Sequence, residues 1–314
     1  GKAKVSLPGG CSIGLRPVDI HLKSLEKLGA KIFIEKGYIY AEASKGLKGN
    51  KIIFPKISVG ATINILMAAV LAKGTTEIHN AAKEPEIEDL GLCLKSMGAK
   101  IEGLGTNKIL IEGVTKLKKT NYKVMLDRIE AGTYALAVAI AGGEIELVGA
   151  EKKLLTFFLN VLETIGVEYF VTENSIIFKR NSNSLNSIDV TTEPYPGFPT
   201  DLQAQLMAVM AISNGTSVIT ENIFENRFMH APELIRMGAK IKLKNNLAIV
   251  EGVKKLKGAE VMATDLRASV SLVLAGLVAE GRTNINRIYH IDRGYQDIVK
   301  KLQFCGANIK RIAV

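Results

Sequence analysis

The chain has 314 residues, of which 47% are hydrophobic and 23% are charged, and its net charge is +10 at pH 7. This length allows one large hydrophobic core or two of ordinary size, so we expect two domains. The longest apolar runs, 63–72 and 270–279, are about ten residues long, whereas a membrane-spanning helix needs roughly 20, so no membrane span is expected.

The positive charge does not favour a nucleic-acid-binding protein. Lysines such as Lys116, Lys118 and Lys119 are scattered over expected helix faces and turns, and no aromatic residues interleave with them as a base-stacking surface requires. Several arginines instead lie in polar loops just before apolar helical stretches. They are Arg16, Arg128, Arg227, Arg267 and Arg293. The planar guanidinium suits bidentate binding of small phosphorylated or carboxylated ligands.

The three cysteines are Cys11, Cys93 and Cys305, which are odd in number, widely spaced and without the paired spacing of a metal site. This pattern is typical of a reduced, cytoplasmic protein. No metal ion and no organic cofactor is implied.

The first element of interest is a glycine-rich loop around Cys11, with the sequence LPGGCSIGLRPVDIH over residues 7–21. Its glycines allow close approach of a ligand to the backbone, and Arg16 favours the thiolate form of Cys11. From these residues alone, Cys11 is either a reactive group or a cysteine that fills space in a loop.

Glycines that end helices recur through the chain with a nearly constant spacing of 69, 68, 72 and 68 residues. They are Gly29, Gly98, Gly166, Gly238 and Gly306. A regular period of this length indicates a fold built from repeated units.

One unit can be read directly as βαβαββ. Its predicted strands and helices are 51–54, 58–71, 76–78, 85–97, 100–102 and 108–112. Further units are expected to begin with strands near Tyr122, Ile188 and Ala259, and 307–314 is expected to supply the penultimate strand of the last unit. Alternating strands and helices predict an α/β fold with mixed sheets.

The first helix of each unit begins at a small polar residue: Ser58, Asp127, Thr200 and Thr264. Such residues cap helices, and helix N-termini also bind phosphates through unpaired N–H groups. Both interpretations stay open for each residue taken alone, but equivalent positions in a repeat fold are expected to face a common region.

Three strings together resemble the UDP-N-acetylglucosamine enolpyruvyl transferase family, which has the EPSP synthase-like fold. They are the cysteine loop, FENRFMH at 224–230 and YHIDRG at 289–294, in the expected order. The resemblance implies a two-domain inside-out α/β barrel of βαβαββ repeats. It covers the whole chain and omits roughly the family's first quarter, so a fragment is expected. Residues 1–125 are then a partial N-terminal domain without its first unit and a half, and 126–314 a C-terminal domain of three repeats.

The resemblance also implies roles for individual residues. Cys11 matches a general acid that forms an adduct with phosphoenolpyruvate, Asp201 matches the base for the sugar 3-hydroxyl, and Asp265 matches an acidic residue near the methylene carbon. The residues that match the family's substrate-binding positions are Arg16, Pro17, Val18, Asp19, Ile20, Lys56, Ile57, Ser58 and Val59 for the uridine diphosphate, Ile223 for the nucleotide sugar, Arg267 and Arg293 for phosphoenolpyruvate, and Arg227 in the cleft.

The implied activity is transfer of the enolpyruvyl group of phosphoenolpyruvate to the 3-hydroxyl of UDP-N-acetylglucosamine with release of phosphate, the first committed step of peptidoglycan synthesis. Two alternatives stay open: a shikimate-pathway enolpyruvyl transferase, against which Cys11 followed by Arg16 and Pro17 argues, and an inactive fragment or binding protein. The partners expected are these small-molecule substrates, with no nucleic acid, no membrane and no obligate protein partner.

Overall fold

The computed structural model describes residues 1–7, 18–182 and 184–312. The described residues fall into two compact units. The first consists of 1–7, 18–125 and 194–196, and the second of 126–182, 184–193 and 197–312. That one independently folding domain ends at residue 125 and the next begins at residue 126 remains a prediction.

The first unit begins with an incomplete repeat and continues with a complete one. The incomplete repeat contains β1 (Lys2–Ser6), α1 (Asp19–Lys27), β2 (Lys31–Glu35) and β3 (Tyr38–Glu42), and the complete one contains β4 (Lys51–Ile53), α2 (Val59–Ala69), β5 (Thr75–His79), α3 (Pro85–Ser96), β6 (Lys100–Glu102) and β7 (Lys108–Glu112). The sheet orders are β1-β3-β2 and β4-β5-β7-β6, with β4 and β5 parallel and the other pairs antiparallel.

The complete repeat confirms the βαβαββ interpretation, because each of its six predicted elements is present. In β7 the side chains alternate as the sequence KILIE requires, and Ile109 and Ile111 are buried. They pack in one core with Ile65 and Leu66 of α2 and with Ile78 of β5.

The second unit contains three repeats. Their elements are α4 (Arg128–Ala141), β8 (Gly143–Val148), α5 (Lys152–Ile165), β9 (Glu168–Val171), β10 (Ser175–Arg180), β11 (Val190–Thr191), α6 (Gln203–Met210), β12 (Thr216–Thr220), α7 (Ala231–Arg236), β13 (Lys240–Lys244), β14 (Leu247–Glu251), β15 (Glu260–Met262), α8 (Ser269–Val278), β16 (Asn284–Asn286), α9 (Tyr289–Asp292) and α10 (Ile298–Phe304). The sheets have the orders β8-β10-β9, β11-β12-β14-β13 and β15-β16.

Helices α4, α6 and α8 contact one another pairwise in the interior of this unit. All eight residues of α6 are buried, and α4 and α8 bury most of theirs. A helix that is apolar on all sides must be covered on all sides, which explains why these helices lie inside and the sheets outside. Within the described ranges, no helix is long and apolar enough to cross a membrane.

Two predicted strands are wrong. Residues 113–127 form no strand, and Tyr122 instead donates a hydrogen bond of 2.9 Å to Asp89 Oδ1, which also accepts the N–H of Met125 at 3.2 Å. Residues 307–312 form no strand either. In the complete repeats the penultimate strand, β6 or β13, pairs only with the last strand, β7 or β14. In the described part of the chain no last strand follows residues 307–312, so they have no pairing partner of this kind.

Two of the four predicted helix starts are shifted. Ser58 and Asp127 cap α2 and α4 as expected, but a 3₁₀ turn over Thr200–Leu202 precedes α6. Helix α8 begins at Ser269 and not at Thr264. There, Asp265 Oδ1 accepts the N–H groups of Arg267 and Ala268 and so forms a separate turn before the helix.

We expect Leu206→Ala in α6 to lower the free energy of unfolding of the second unit by about 2 to 5 kcal/mol, because Leu206 is fully buried and the truncation leaves a cavity. Urea denaturation measures this change. The same substitution at Leu243 of β13, which is 46% exposed, is the control and should cost at most about 1 kcal/mol. Equal losses at the two positions would contradict the buried position of α6.

Candidate active site

Polar side chains from the N-terminal ends of α4, α6 and α8 meet at Arg267. Its Nη2 lies 3.3 Å from Asp127 Oδ2, and its Nε lies 3.6 Å from Asp201 Oδ2. Asp127 caps α4 by accepting the N–H groups of Ile129 and Glu130, and Asp201 lies in the turn before α6. The common region that was expected for four helix starts is thus formed within the second unit at three of them, at the positive ends of these helices. Ser58, the fourth, lies in the first unit.

Arg227 forms the third ion pair of this cluster. Its Nη2 donates a hydrogen bond of 2.8 Å to Asp201 Oδ1, and its guanidinium lies 5.4 Å from the centre of the Phe224 ring. The Arg227 side chain is only 4% exposed, whereas the Asp201 carboxylate is 38% exposed. A buried guanidinium requires a charged partner, so Arg227 holds one oxygen of a carboxylate that solvent and ligands can still reach.

Arg267 is fixed by groups besides the two carboxylates. Its Nη1 donates to the carbonyl of Gly294 at 3.1 Å, and its guanidinium lies 5.3 Å from the centre of the Tyr295 ring. Burial acts to lower the pKa of this guanidinium, but Tyr295, Asp127 and Asp201 outweigh it and raise the pKa above its ordinary value. Arg267 is therefore a permanent, immobilised cation.

A side chain at position 294 would crowd Leu266 and Arg267. A Cβ atom there would lie 2.8 Å from Leu266 Cδ1 and 3.3 Å from Arg267 Nη1. The YHIDRG string thus contains a glycine that allows Arg267 to approach the backbone closely.

A buried polar network lies beneath the arginine and joins α4 to α6. Gln205 Nε2 is 3.2 Å from Thr133 Oγ1, 3.2 Å from the Tyr295 hydroxyl and 2.9 Å from the carbonyl oxygen of Asp201, to which it donates. Burial raises the pKa of the Tyr295 hydroxyl. The sequence analysis missed these residues, although glutamines within the apolar run of α6 were a detectable signal.

Asp265 is buried in the turn before α8. Its Oδ1 accepts two backbone N–H groups, while its Oδ2 is buried and has no hydrogen-bond partner among the described residues. Arg293 is exposed directly after α9. Ile223 is 37% exposed, and its N–H donates to Glu221 Oε1 at 2.8 Å.

The predicted nucleotide-binding residues that the structure describes lie in the first unit, at the starts of α1 and α2. Val18 caps α1, Asp19 and Ile20 form its first turn, and Ser58 caps α2 by accepting the N–H of Ala61 at 3.2 Å. The exposed residues there are Asp19, Lys56, Ile57 and Val59.

The two starts lie side by side, because a Cβ atom on Gly60 would be 3.2 Å from His21 Cε1. Burial lowers the pKa of His21, and the charge of Asp19 opposes this effect. The structure thus brings the two predicted segments together within the first unit. Cys11, Arg16 and Pro17 lie outside the described residues.

His230, in the FENRFMH string, is fully buried. Burial, followed by the charge of Arg227, lowers the pKa of His230 to about 3. The imidazole is therefore neutral at physiological pH. Among the described residues, no group of three or more His, Cys, Asp or Glu side chains is placed to hold a metal ion.

A sequence model of the EPSP synthase (3-phosphoshikimate 1-carboxyvinyltransferase) family matches residues 1–302. Among curated proteins, the UDP-N-acetylglucosamine 1-carboxyvinyltransferase of Caulobacter sp. (strain K31) is 59% identical over 312 residues, which are 99% of this chain and 72% of that protein. The enzyme of the same name from Chelativorans sp. (strain BNC1) is 58% identical over 313 residues, 100% of this chain and 73% of that protein.

Two solved structures share the fold. The enolpyruvyl transferase NikO from Streptomyces tendae has a TM-score of 0.89 at 24% identity, covering 100% of this chain and 75% of that chain. An EPSP synthase from Acinetobacter baumannii has a TM-score of 0.73 at 22% identity, covering 98% and 74%. The expected EPSP synthase-like α/β fold is confirmed.

The buried neutral His230 predicts a specific pH dependence of stability. The unfolded chain binds a proton at this histidine below about pH 6.5 and the folded chain does not, so the stabilisation is present above pH 6.5 and is lost as the pH falls towards 3. Relative to His230→Leu, the wild type should lose about 2 kcal/mol of unfolding free energy between pH 6.5 and 5. Urea denaturation at several pH values measures both slopes. Parallel slopes would contradict the neutral buried state.

Proposed function

The chain belongs to the EPSP synthase family, and we propose that it transfers the enolpyruvyl group of phosphoenolpyruvate to the 3-hydroxyl of UDP-N-acetylglucosamine, releasing phosphate for peptidoglycan synthesis. Relatives that bear the name of this activity are 57 to 59% identical over nearly the whole chain. The observation that carries the proposal is the cluster in which Asp127, Asp201 and Arg267 meet at the N-termini of α4, α6 and α8 and Arg227 pairs with Asp201.

The cluster suits the two charged groups of phosphoenolpyruvate. Arg267 is pre-oriented by Gly294, Asp127 and Asp201, and a fixed planar fork binds carboxylate or phosphate with two parallel hydrogen bonds. Arg293 is exposed and directly precedes Gly294 in the sequence. It is the second arginine that we assign to this substrate. The positive ends of the helices add to the attraction for anions.

Asp201 is the proposed base. Its Oδ1 is held by Arg227, and its carboxylate is the more exposed partner of the pair, so it can accept the proton of the sugar 3-hydroxyl as that oxygen bonds to C2 of phosphoenolpyruvate. Cys11 is the proposed acid that supplies a proton to C3. Loss of a proton from C3 and cleavage of the C2–O bond then release phosphate and leave the enolpyruvyl ether. Asp265, with its unpartnered carboxylate oxygen, is assigned to the region of C3.

Substrate binding by the first unit is assigned to the adjacent starts of α1 and α2. Residues 18–20 and 56–59 lie there. Arg16 and Pro17, which precede Val18 in the sequence, are assigned to the same substrate. Ile223, in the second unit, is assigned to the nucleotide sugar. The three widely spaced cysteines support a reducing compartment, the cytoplasm. Transfer to shikimate 3-phosphate is not favoured, since the matching relatives of high identity bear the other name.

We expect the full-length gene product to release phosphate from phosphoenolpyruvate with UDP-N-acetylglucosamine and not with shikimate 3-phosphate. Fosfomycin, a thiol-alkylating epoxide, should stop this release, and Cys11→Ser should lower kcat by about 100-fold or more, because a positioned general acid contributes at least that factor. A colorimetric phosphate assay and the mass of the epoxide-treated protein measure these outcomes.

The matched control is Cys305→Ser, because Cys305 is an exposed free cysteine in the second unit. It should leave both turnover and inactivation by the epoxide unchanged. Release with shikimate 3-phosphate would contradict the proposed acceptor, and release with neither acceptor would favour a binding protein. Full activity of Cys11→Ser would contradict the acid role.

A further inference from the structure

Glu221 is a buried carboxylate to which sequence and function assign no role. It follows β12 directly and is 3% exposed. Its Oε1 accepts hydrogen bonds from Thr192 Oγ1 at 2.9 Å, from the N–H of Ile223 at 2.8 Å and from the N–H of Phe224 at 3.1 Å. Its Oε2 accepts from Thr200 Oγ1 at 2.8 Å.

Three of these donors share Oε1 and one reaches Oε2, so both oxygens of the carboxylate are hydrogen-bonded. Within the described ranges no lysine or arginine forms an ion pair with Glu221, so hydrogen bonds alone compensate its burial. A buried carboxylate without such donors is strongly destabilising, so the fold favours arrangements that keep these donor groups around Glu221.

Three of the four donors belong to the two segments that carry the reactive pair. Thr200 immediately precedes Asp201, and the turn of Ile223 and Phe224 leads to Arg227. Asp201 and Arg227 are themselves joined by a hydrogen bond of 2.8 Å. Glu221 therefore bonds to the side chain of the residue before Asp201 and to the backbone of the turn that leads to Arg227.

A third attachment fixes Glu221 itself. Thr192, at the end of β11, donates to Glu221 Oε1, accepts the N–H of Asn222 at 2.9 Å, and donates its own N–H to the carbonyl of Thr220 at 2.8 Å. The carboxylate is thus anchored to the β11–β12 strand pair. Through it, the segments that contain Asp201 and Arg227 are attached to this edge of the sheet.

We propose that Glu221 is a positioning residue that sets the placement of the Asp201 carboxylate relative to Arg227 and to the backbone of Ile223. It does not touch the reacting atoms. The inference rests on the proposed function, in which Asp201 is the base, because only then does a displacement of Asp201 change the reaction rate.

The chain offers variants that separate geometry from charge. In Glu221→Gln, the amide oxygen can accept the N–H groups of Ile223 and Phe224, while the amide nitrogen donates to the Thr200 hydroxyl, which rotates to accept. Both segments stay attached. Thr200→Val removes only the bond to the segment of Asp201 and keeps the shape of the side chain, and Glu221→Leu removes every bond.

The experiment measures kcat and KM for UDP-N-acetylglucosamine in the full-length protein. Thr200→Val should lower kcat by about 10-fold or more and change KM by less than about 3-fold, because a misplaced base slows the chemical step while the nucleotide-sugar contacts remain. Glu221→Gln should retain kcat within about 3-fold of the wild type. Glu221→Leu should lose at least as much kcat as Thr200→Val, and if it fails to fold, Thr200→Val decides.

The matched control is Thr164→Val in α5, which removes a hydroxyl that donates a 2.8 Å hydrogen bond to Asn160 in the same unit. It should leave kcat and KM unchanged, and because the hydrogen bond of Thr164 is exposed, it should change the melting temperature little. An unchanged kcat in Thr200→Val would overturn the proposal, as would an equal loss of kcat in Thr164→Val or a loss in Glu221→Gln as large as in Thr200→Val.

Crystal structures of Thr200→Val and Thr164→Val keep this test separate from the proposed function. If the wild type shows no turnover, the proposed function fails by itself. The positioning role then stands if the Asp201 carboxylate leaves Arg227 in Thr200→Val alone, and falls if the pair is unchanged.

Discussion

The second unit depends on one constraint: three largely apolar helices are packed against one another, and the charged side chains of the site lie at their N-terminal ends. The four N–H groups at a helix start need acceptors, and the positive end of the helix dipole attracts anions. Asp127 and Asp201 supply carboxylates at two of these ends, and Arg267 lies between them. The charges of the site are thus a consequence of how the core packs.

The same constraint explains why arginines, and not the much commoner lysines, occupy the site. Arg227 and Arg267 are largely buried, and each contacts a carboxylate with one edge and an aromatic ring with its face. A compact ammonium group offers neither the fork nor the planar face. An anionic ligand that reaches Arg267 must share it with Asp127 and Asp201, so binding of such a ligand and placement of the proposed base are coupled.

The fold could be predicted from the sequence wherever local signals sufficed. The recurring glycines and the alternation in segments such as 108–112 gave the repeat and all six elements of one unit. The strand expected at Tyr122 was wrong because its side chain bonds to Asp89, a contact made 33 residues away. Helix α8 begins late because Asp265 uses its carboxylate on two neighbouring N–H groups. Both outcomes depend on where one side chain finds a partner.

The candidate site was predictable only in part for a similar reason. Arg227 lies in a recognisable string, and Asp201 and Arg267 followed from the family resemblance. Glu221 and Tyr295 instead form hydrogen bonds with partners that are distant in sequence, 29 residues away for Thr192 and 162 for Thr133. The most direct test of the whole account is Asp201→Asn in the full-length protein. We expect kcat to fall by about 100-fold or more while calorimetry shows binding of UDP-N-acetylglucosamine within about 3-fold of the wild type. A kcat within about 3-fold of the wild type would contradict the assignment of the base.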